Sequence, residues 1–145
     1  MVNDEIVVRL TIISDSLSPD EIDKYVGVNC SDSQTRGEMN RLGTKRYARH
    51  AWFLKSKRVI APNEYIGDWI DAEVRSLLSR LAPAAEKIRE LSHSYEVEFS
   101  LYFLARDVPP MNISKEDLRA IAALGASLDI DLIIYANPEG ENAEA

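Results

Sequence analysis

The sequence predicts an α+β open-faced sandwich, with a mostly antiparallel or mixed four-stranded sheet and helices on one face. Three observations carry this. A serine-led helix start occurs twice, at Leu17-Ser18-Pro19-Asp20-Glu21-Ile22 and at Ile113-Ser114-Lys115-Glu116-Asp117-Leu118, each after a strand-like run. Runs of alternating polarity recur, each giving a strand one apolar face and one mostly polar face. A longer stripe of helical period lies between them. The order strand, helix, strand, long helix, strand, helix, strand fits a ferredoxin-like, duplicated β-α-β scaffold with an extra long helix between its halves.

Ile6, Val8, Leu10 and Ile12 alternate with Val7, Arg9, Thr11 and Ile13, which predicts the first strand. Ser18 then caps open N–H groups, Glu21 completes a capping box, and Leu17 can staple against Ile22. Pro19 suits the first helical position; Ile22, Tyr25 and Val26 are expected inward, and Gly27 ends the helix. From Val28 to about Ala48 the chain is polar and aperiodic, and is expected to form a long connection without regular structure. His50, Trp52 and Leu54 alternate with Ala51, Phe53 and Lys55 as a second strand.

Pro62-Asn63 is expected to open the long helix. Ile66, Trp69, Ile70, Val74, Leu77, Leu78 and Leu81 form its apolar stripe, with Asp68, Asp71, Glu73 and Arg75 largely outside. Gly67 weakens its start and Pro83 breaks or restarts it, with Ile88 and Leu91 continuing beyond. Val97, Phe99, Leu101 and Phe103 alternate with Glu96, Glu98, Ser100 and Tyr102, the clearest strand in the chain. The Ser114-capped helix is expected to bury Leu118, Ile121 and Ala122 and to close near Gly125. Leu128, Ile130, Leu132 and Ile134 alternate with Asp129, Asp131, Ile133 and Tyr135 as the last strand. Residues 1–136 are thus expected to form a single domain, with a flexible acidic tail over 137–145.

The chain has 145 residues and a net charge of −7. One domain of this size buries about 70% of its unfolded surface. No apolar run approaches the ~20 residues of a membrane span, and the acidic start Met1-Val2-Asn3-Asp4-Glu5 is unlike a signal peptide. The lone Cys30 excludes an internal disulfide and fits a cytoplasmic setting. The acidic balance argues against nucleic-acid or anionic-membrane partners. It also hides an asymmetry: Arg36 to Arg58 holds eight Lys and Arg against one acid, while the remainder holds 9 against 23.

Little in the sequence carries chemistry. Gly37 to Lys45 has the wrong glycine spacing for a phosphate-binding loop, places Thr44 before Lys45, and precedes a strand instead of a helix. His50 and His93 lack metal-site spacing and an orienting carboxylate, so neither a metal nor a general base is expected. Cys30 has no local feature that would lower its pKa. Glu96 and Glu98 share one strand face, as do Asp129 and Asp131; such pairs can serve as acid and base or hold a cation, and they also keep an exposed face soluble. Exposed Tyr102 and Tyr135 among acids are unlike an RNA-binding sheet.

Taken together, Trp52-x-x-x-Ser56, the helix from Tyr65 to Leu81 with Leu77-Leu78, Pro83, Leu91, Ile113-Ser114 with Leu118, and Leu124-Gly125-Ala126-Ser127-Leu128-Asp129-Ile130-Asp131 with Tyr135 resemble a bacterial family known as domain of unknown function 4279. The likeness extends to Leu17–Gly27 and is most specific in the C-terminal block. It implies a small bacterial cytoplasmic domain and transfers no catalytic residues.

The expected function is therefore that of a non-enzymatic interaction protein without cofactors, an acidic immunity-like protein that neutralises a basic protein partner. Its expected contact residues are Glu96, Glu98, Tyr102, Asp129, Asp131 and Tyr135. The alternative is a small-anion or nucleotide-binding module built on Arg36, Lys45, Arg46, Arg49, His50 and Trp52. A homodimer formed through the last strand is a further expectation.

Overall fold

The structure is a computed structural model that describes residues 2–135; the expected tail lies outside the described residues. Strand β1 (Glu5–Ser14) leads to helix α1 (Pro19–Val26), the short strand β2 (Asp32–Gln34) and the long strand β3 (His50–Val59). Helices α2 (Ile70–Leu81) and α3 (Ala85–Ser92) follow, then β4 (Glu96–Ala105), α4 (Lys115–Ala123) and β5 (Ser127–Ile134).

The strands form one five-stranded sheet in the order β2-β3-β1-β4-β5. β1 lies in the middle, antiparallel to β3 and β4, while β2 is antiparallel to β3 and β5 parallel to β4. Both serines start helices as expected. Ser18 Oγ accepts from Glu21 N–H and Glu21 reaches back to complete the capping box, while Ser114 Oγ accepts from Asp117 N–H. The strands around the two helices nevertheless pair in opposite senses. β1 ends beside the start of β3 (Ser14 opposite His50), so α1 and the basic segment return the chain to the end of the sheet it left. α4 instead carries the chain back along the sheet to lay β5 parallel to β4. The likeness of the two units is confined to cap and helix.

The α2–α3 pair occupies the place expected for the long helix and returns the chain between β3 and β4, with β1 inserted between those strands. The helix starts later than expected. Ile66–Asp68 form a separate 3-10 turn and α2 begins at Ile70. Gly67 is packed under Tyr65, where an added Cβ would lie 2.5 Å from the ring. Pro83 sits in a second 3-10 turn that separates α2 from α3, as its missing N–H demands.

One face of the sheet forms the core. Ile6, Val8, Leu10 and Ile12 are fully buried and lie in register with Trp52 and Leu54 on one side and Val97, Phe99, Leu101 and Phe103 on the other. Ile22, Val26, Val74, Leu77, Leu81, Ile88 and Ile121 close over them from the helices. Fully burying each such side chain contributes roughly 1.5–3 kcal/mol.

Four local expectations are corrected. The segment from Val28 to Ala48 is not structureless: it contributes β2 and a bridge between Met39 and Arg46. β2 lacks apolar alternation because it is an edge strand of Asp, Ser and Gln. Tyr25 points outward and hydrogen-bonds Glu90, with Lys87 over its ring. Glu73 is buried, at 5% exposure, because Ser56 and Arg58 on β3 supply it with donors. α4 is rotated so that Asp117, Ile121 and Leu124 face inward, leaving Leu118 and Ala122 exposed.

Candidate interaction surface

The second face of the sheet carries no helix, and register sets out its side chains in rows. Lys55, Arg9, Ser100 and Asp129 form one row, and Lys57, Val7, Tyr102 and Asp131 the next. Phe53, Thr11, Glu98 and Ser127 form a third, and Ala51, Ile13 and Glu96 a fourth. Glu96, Glu98, Tyr102, Asp129 and Asp131, predicted from sequence, are therefore brought together. They occupy half of a face whose other half, on β3, is basic. Sequence reading found the acids and missed the division, which only the pairing of β1 with both neighbours creates.

At the centre of this face Arg9 lies over the Phe53 ring, 4.8 Å from its centroid. Its Nε is buried and has no hydrogen-bond partner, and neither has Thr11 Oγ1. Ser100 Oγ donates to Glu98 Oε1 at 2.9 Å. Orphaned polar atoms are rare in folded proteins because each forgoes the bonds it made to water.

Tyr135 is placed apart from these residues. Its hydroxyl donates to Asp4 Oδ1 at 2.6 Å beside a hollow of about 240 Å³ lined by Ile60, Tyr65, Ile66 and Arg106. Burial and the neighbouring Asp4 carboxylate raise its pKa, so it stays a neutral donor.

The residues of the anion-binding alternative do not converge. Trp52 is fully buried on the helical side, where its Nε1 donates to Asp23 Oδ1 at 2.7 Å. Arg49 is held by Asp15 at 2.8 Å and Glu96 at 3.3 Å. Arg46 donates to the Gly37 carbonyl, Arg36 to the Asp15 carbonyl, and His50 Nδ1 accepts from the Arg36 backbone N–H. Lys45 is exposed. Cys30 Sγ is 3.9 Å from Asp23 Oδ2, and burial together with that carboxylate pushes the thiol pKa up, the wrong direction for a nucleophile.

Two polar clusters were not foreseen. Glu73 accepts from Ser56 Oγ and Arg58 Nε, both at 2.6 Å, with the Arg58 guanidinium 4.1 Å from the Trp69 ring centroid. Asp117, at 6% exposure, meets Asp71 between α4 and α2; Arg75 lies 3.0 Å from Asp71 and 3.8 Å from Asp117. Among the described residues, no group of three or more His, Cys, Asp or Glu is placed to hold a metal ion, and no helix is long and apolar enough to cross a membrane.

The fold and face define a small open-faced α+β domain with an uncovered, charge-divided sheet surface. A family profile described as a domain of unknown function (DUF4279) matches residues 4–135, and the chain belongs to that family. No curated protein and no solved structure matches the chain.

Proposed function

We propose that the protein is a non-enzymatic interaction protein of the immunity type, which binds and neutralises a basic protein partner. The observation that carries this reading is the uncovered half-face on β4 and β5, where Glu96, Glu98, Asp129 and Asp131 share one side of the sheet with Tyr102. Such a field speeds capture of a basic partner and fixes its orientation, while an aromatic supplies contact area at little entropic cost. A bacterial, cytoplasmic setting belongs to this proposal and rests on the family resemblance and the lone thiol. The anion-binding alternative has less support, since Trp52 is in the core and Arg49 already holds two carboxylates.

The test compares the immobilised protein with its Glu96→Lys, Glu98→Lys, Asp129→Lys, Asp131→Lys variant in cell lysate. The parent should retain a basic protein in stoichiometric amount and the variant should not. Equal capture by the two, or none by either, would overturn the proposal.

A further inference from the structure

We infer that β5 accepts an additional strand from the partner, an extended segment in which Lys or Arg alternates with apolar side chains. This rests on the binding function proposed above and narrows it from the sheet face to the sheet edge.

The backbone supplies the first argument. Tyr135 N–H donates to the Ala105 carbonyl. N–H and C=O groups alternate in direction along a strand, so Asp129, Asp131 and Ile133 also address β4. Leu128, Ile130, Leu132 and Ile134 then point their N–H and C=O groups away from the sheet. Among the described residues no strand pairs with that side of β5. Edge strands usually carry a device against pairing, such as shortness, charged side chains, proline or a bulge, and the charges of β5, Asp129 and Asp131, oppose an acidic strand but not a basic one. The opposite edge, β2, is three polar residues long. β5 runs for eight residues, Ser-Leu-Asp-Ile-Asp-Leu-Ile-Ile, with no proline and no lysine, in unbroken register with β4.

The side chains identify the occupant. Leu128 and Ile130 lie on the helical side, yet are 38% and 41% exposed, because the helix layer stops short of the edge. Leu118 on the neighbouring α4 is 44% exposed. On the open side Asp129 and Asp131 are exposed, and no ion pair with a described residue engages them. A strand added here continues the pleat, so its apolar side chains fall beside Leu128 and Ile130 and its basic ones beside Asp129 and Asp131. A second copy of this chain fits worse. Antiparallel pairing of two β5 strands centred on Ile130 sets Asp129 of each opposite Asp131 of the other, and like charges directly opposite destabilise. Recognition by strand addition draws affinity from the main chain and specificity from alternate side chains, which suits this edge.

The probe is a fluorescent Lys-Val-Lys-Thr-Lys-Val-Lys peptide, with its Glu-for-Lys counterpart as control. The parent should bind the basic peptide only. The Asp129→Lys, Asp131→Lys variant should lose at least tenfold in affinity and gain the acidic peptide. Ile130→Pro removes one outward N–H while sparing the bonds to β4, a change that edge strands tolerate, and should lose binding at unchanged helix content. Amide exchange on the parent should slow at Ile130 and Leu132 when peptide is added, a readout that does not depend on any variant folding. Peptide binding without protection of those amides, or undiminished in Ile130→Pro, would place the contact on the face and sink the edge assignment while leaving the interaction function standing. No binding of the basic peptide, or amides already protected in a sedimenting dimer, also overturns it. Failure of the lysate capture, by contrast, bears on the function itself.

Discussion

Trp52 Nε1 donates to Asp23 Oδ1 at 2.7 Å, and the same oxygen accepts the Cys30 backbone N–H at 2.8 Å. One carboxylate on α1 thus ties the helix both to the largest core side chain of β3 and to the chain that leaves α1. Asp23→Ala should cost about 1–3 kcal/mol, because it leaves a buried indole N–H without an acceptor. Urea unfolding would measure this. In the Trp52→Phe background the same substitution should cost clearly less, and additive losses would show that the pair is not coupled.

The Asp71–Asp117 contact makes stability depend on pH. Burial and the adjacent Asp71 carboxyl raise the Asp117 pKa, against a smaller opposing pull from the Ser114 hydroxyl and Arg75. Asp71 Oδ1 and Asp117 Oδ2 are both shielded without a donor, so no hydrogen bond at Asp117 Oδ2 offsets the water it loses. The folded state therefore keeps the Asp117 proton to higher pH than the unfolded chain, which releases it near pH ~3.9. Above that pH the folded state binds more protons, so Asp117 lowers stability as pH rises through its folded pKa, and the cost is fully present beyond it. Asp117→Asn should raise Tm more at pH 7 than at pH 4. An equal shift at both would show that the proton is not involved.

Gly125 closes α4 at φ +71, and an added Cβ would lie 2.0 Å from Ser92 Oγ and 2.5 Å from Ser92 Cβ. Both the left-handed backbone and the α3 neighbour exclude a side chain. Gly125→Ala should destabilise by at least ~1–2 kcal/mol, the usual cost of that conformation for an L-residue. Gly125→Ala/Ser92→Gly should recover only the steric part, as thermal melts of both variants would reveal.

Arg58 and Glu73 are unequal partners. Glu73 is buried, whereas the Arg58 side chain is 39% exposed and can turn to water. Arg58→Ala strands a buried carboxylate with only Ser56 to serve it and should cost about 1–3 kcal/mol. Glu73→Gln keeps the shape and an acceptor and should cost less. Chemical denaturation that ranked the two in the opposite order would contradict this.

What could be read from sequence was what local chemistry determines. The Ser18 and Ser114 caps, the Gly27 stop and the break at Pro83 each depend on a few neighbouring residues, and each is present. The family was legible too, from residues spread along the chain. Strand pairing was not, since alternation assigns faces and leaves partners and direction open. The fifth strand escaped because Asp32, Ser33 and Gln34 carry no apolar signal. Glu73 read as an outer acid because the donors that admit it, Ser56 and Arg58 on β3, belong to another element, and nothing local to Asp117 signals its burial against α2. The acids of β4 and β5 were foreseen, while the basic half beside them became visible only once Lys55 and Arg9 were in register.

The central position of β1 has a consequence for how the protein is made. Its neighbours on the two sides are His50–Val59 and Glu96–Ala105, so the first strand of this sheet to be made waits for the fourth before both its edges are satisfied. At on the order of 5–20 residues per second, the nascent chain shows an unpaired run of Ile, Val and Leu for seconds before β4 emerges. A message truncated within α2 or α3 would release that run with one edge permanently open. Such fragments should aggregate or be taken up by chaperones, whereas the finished chain has no such edge at its core.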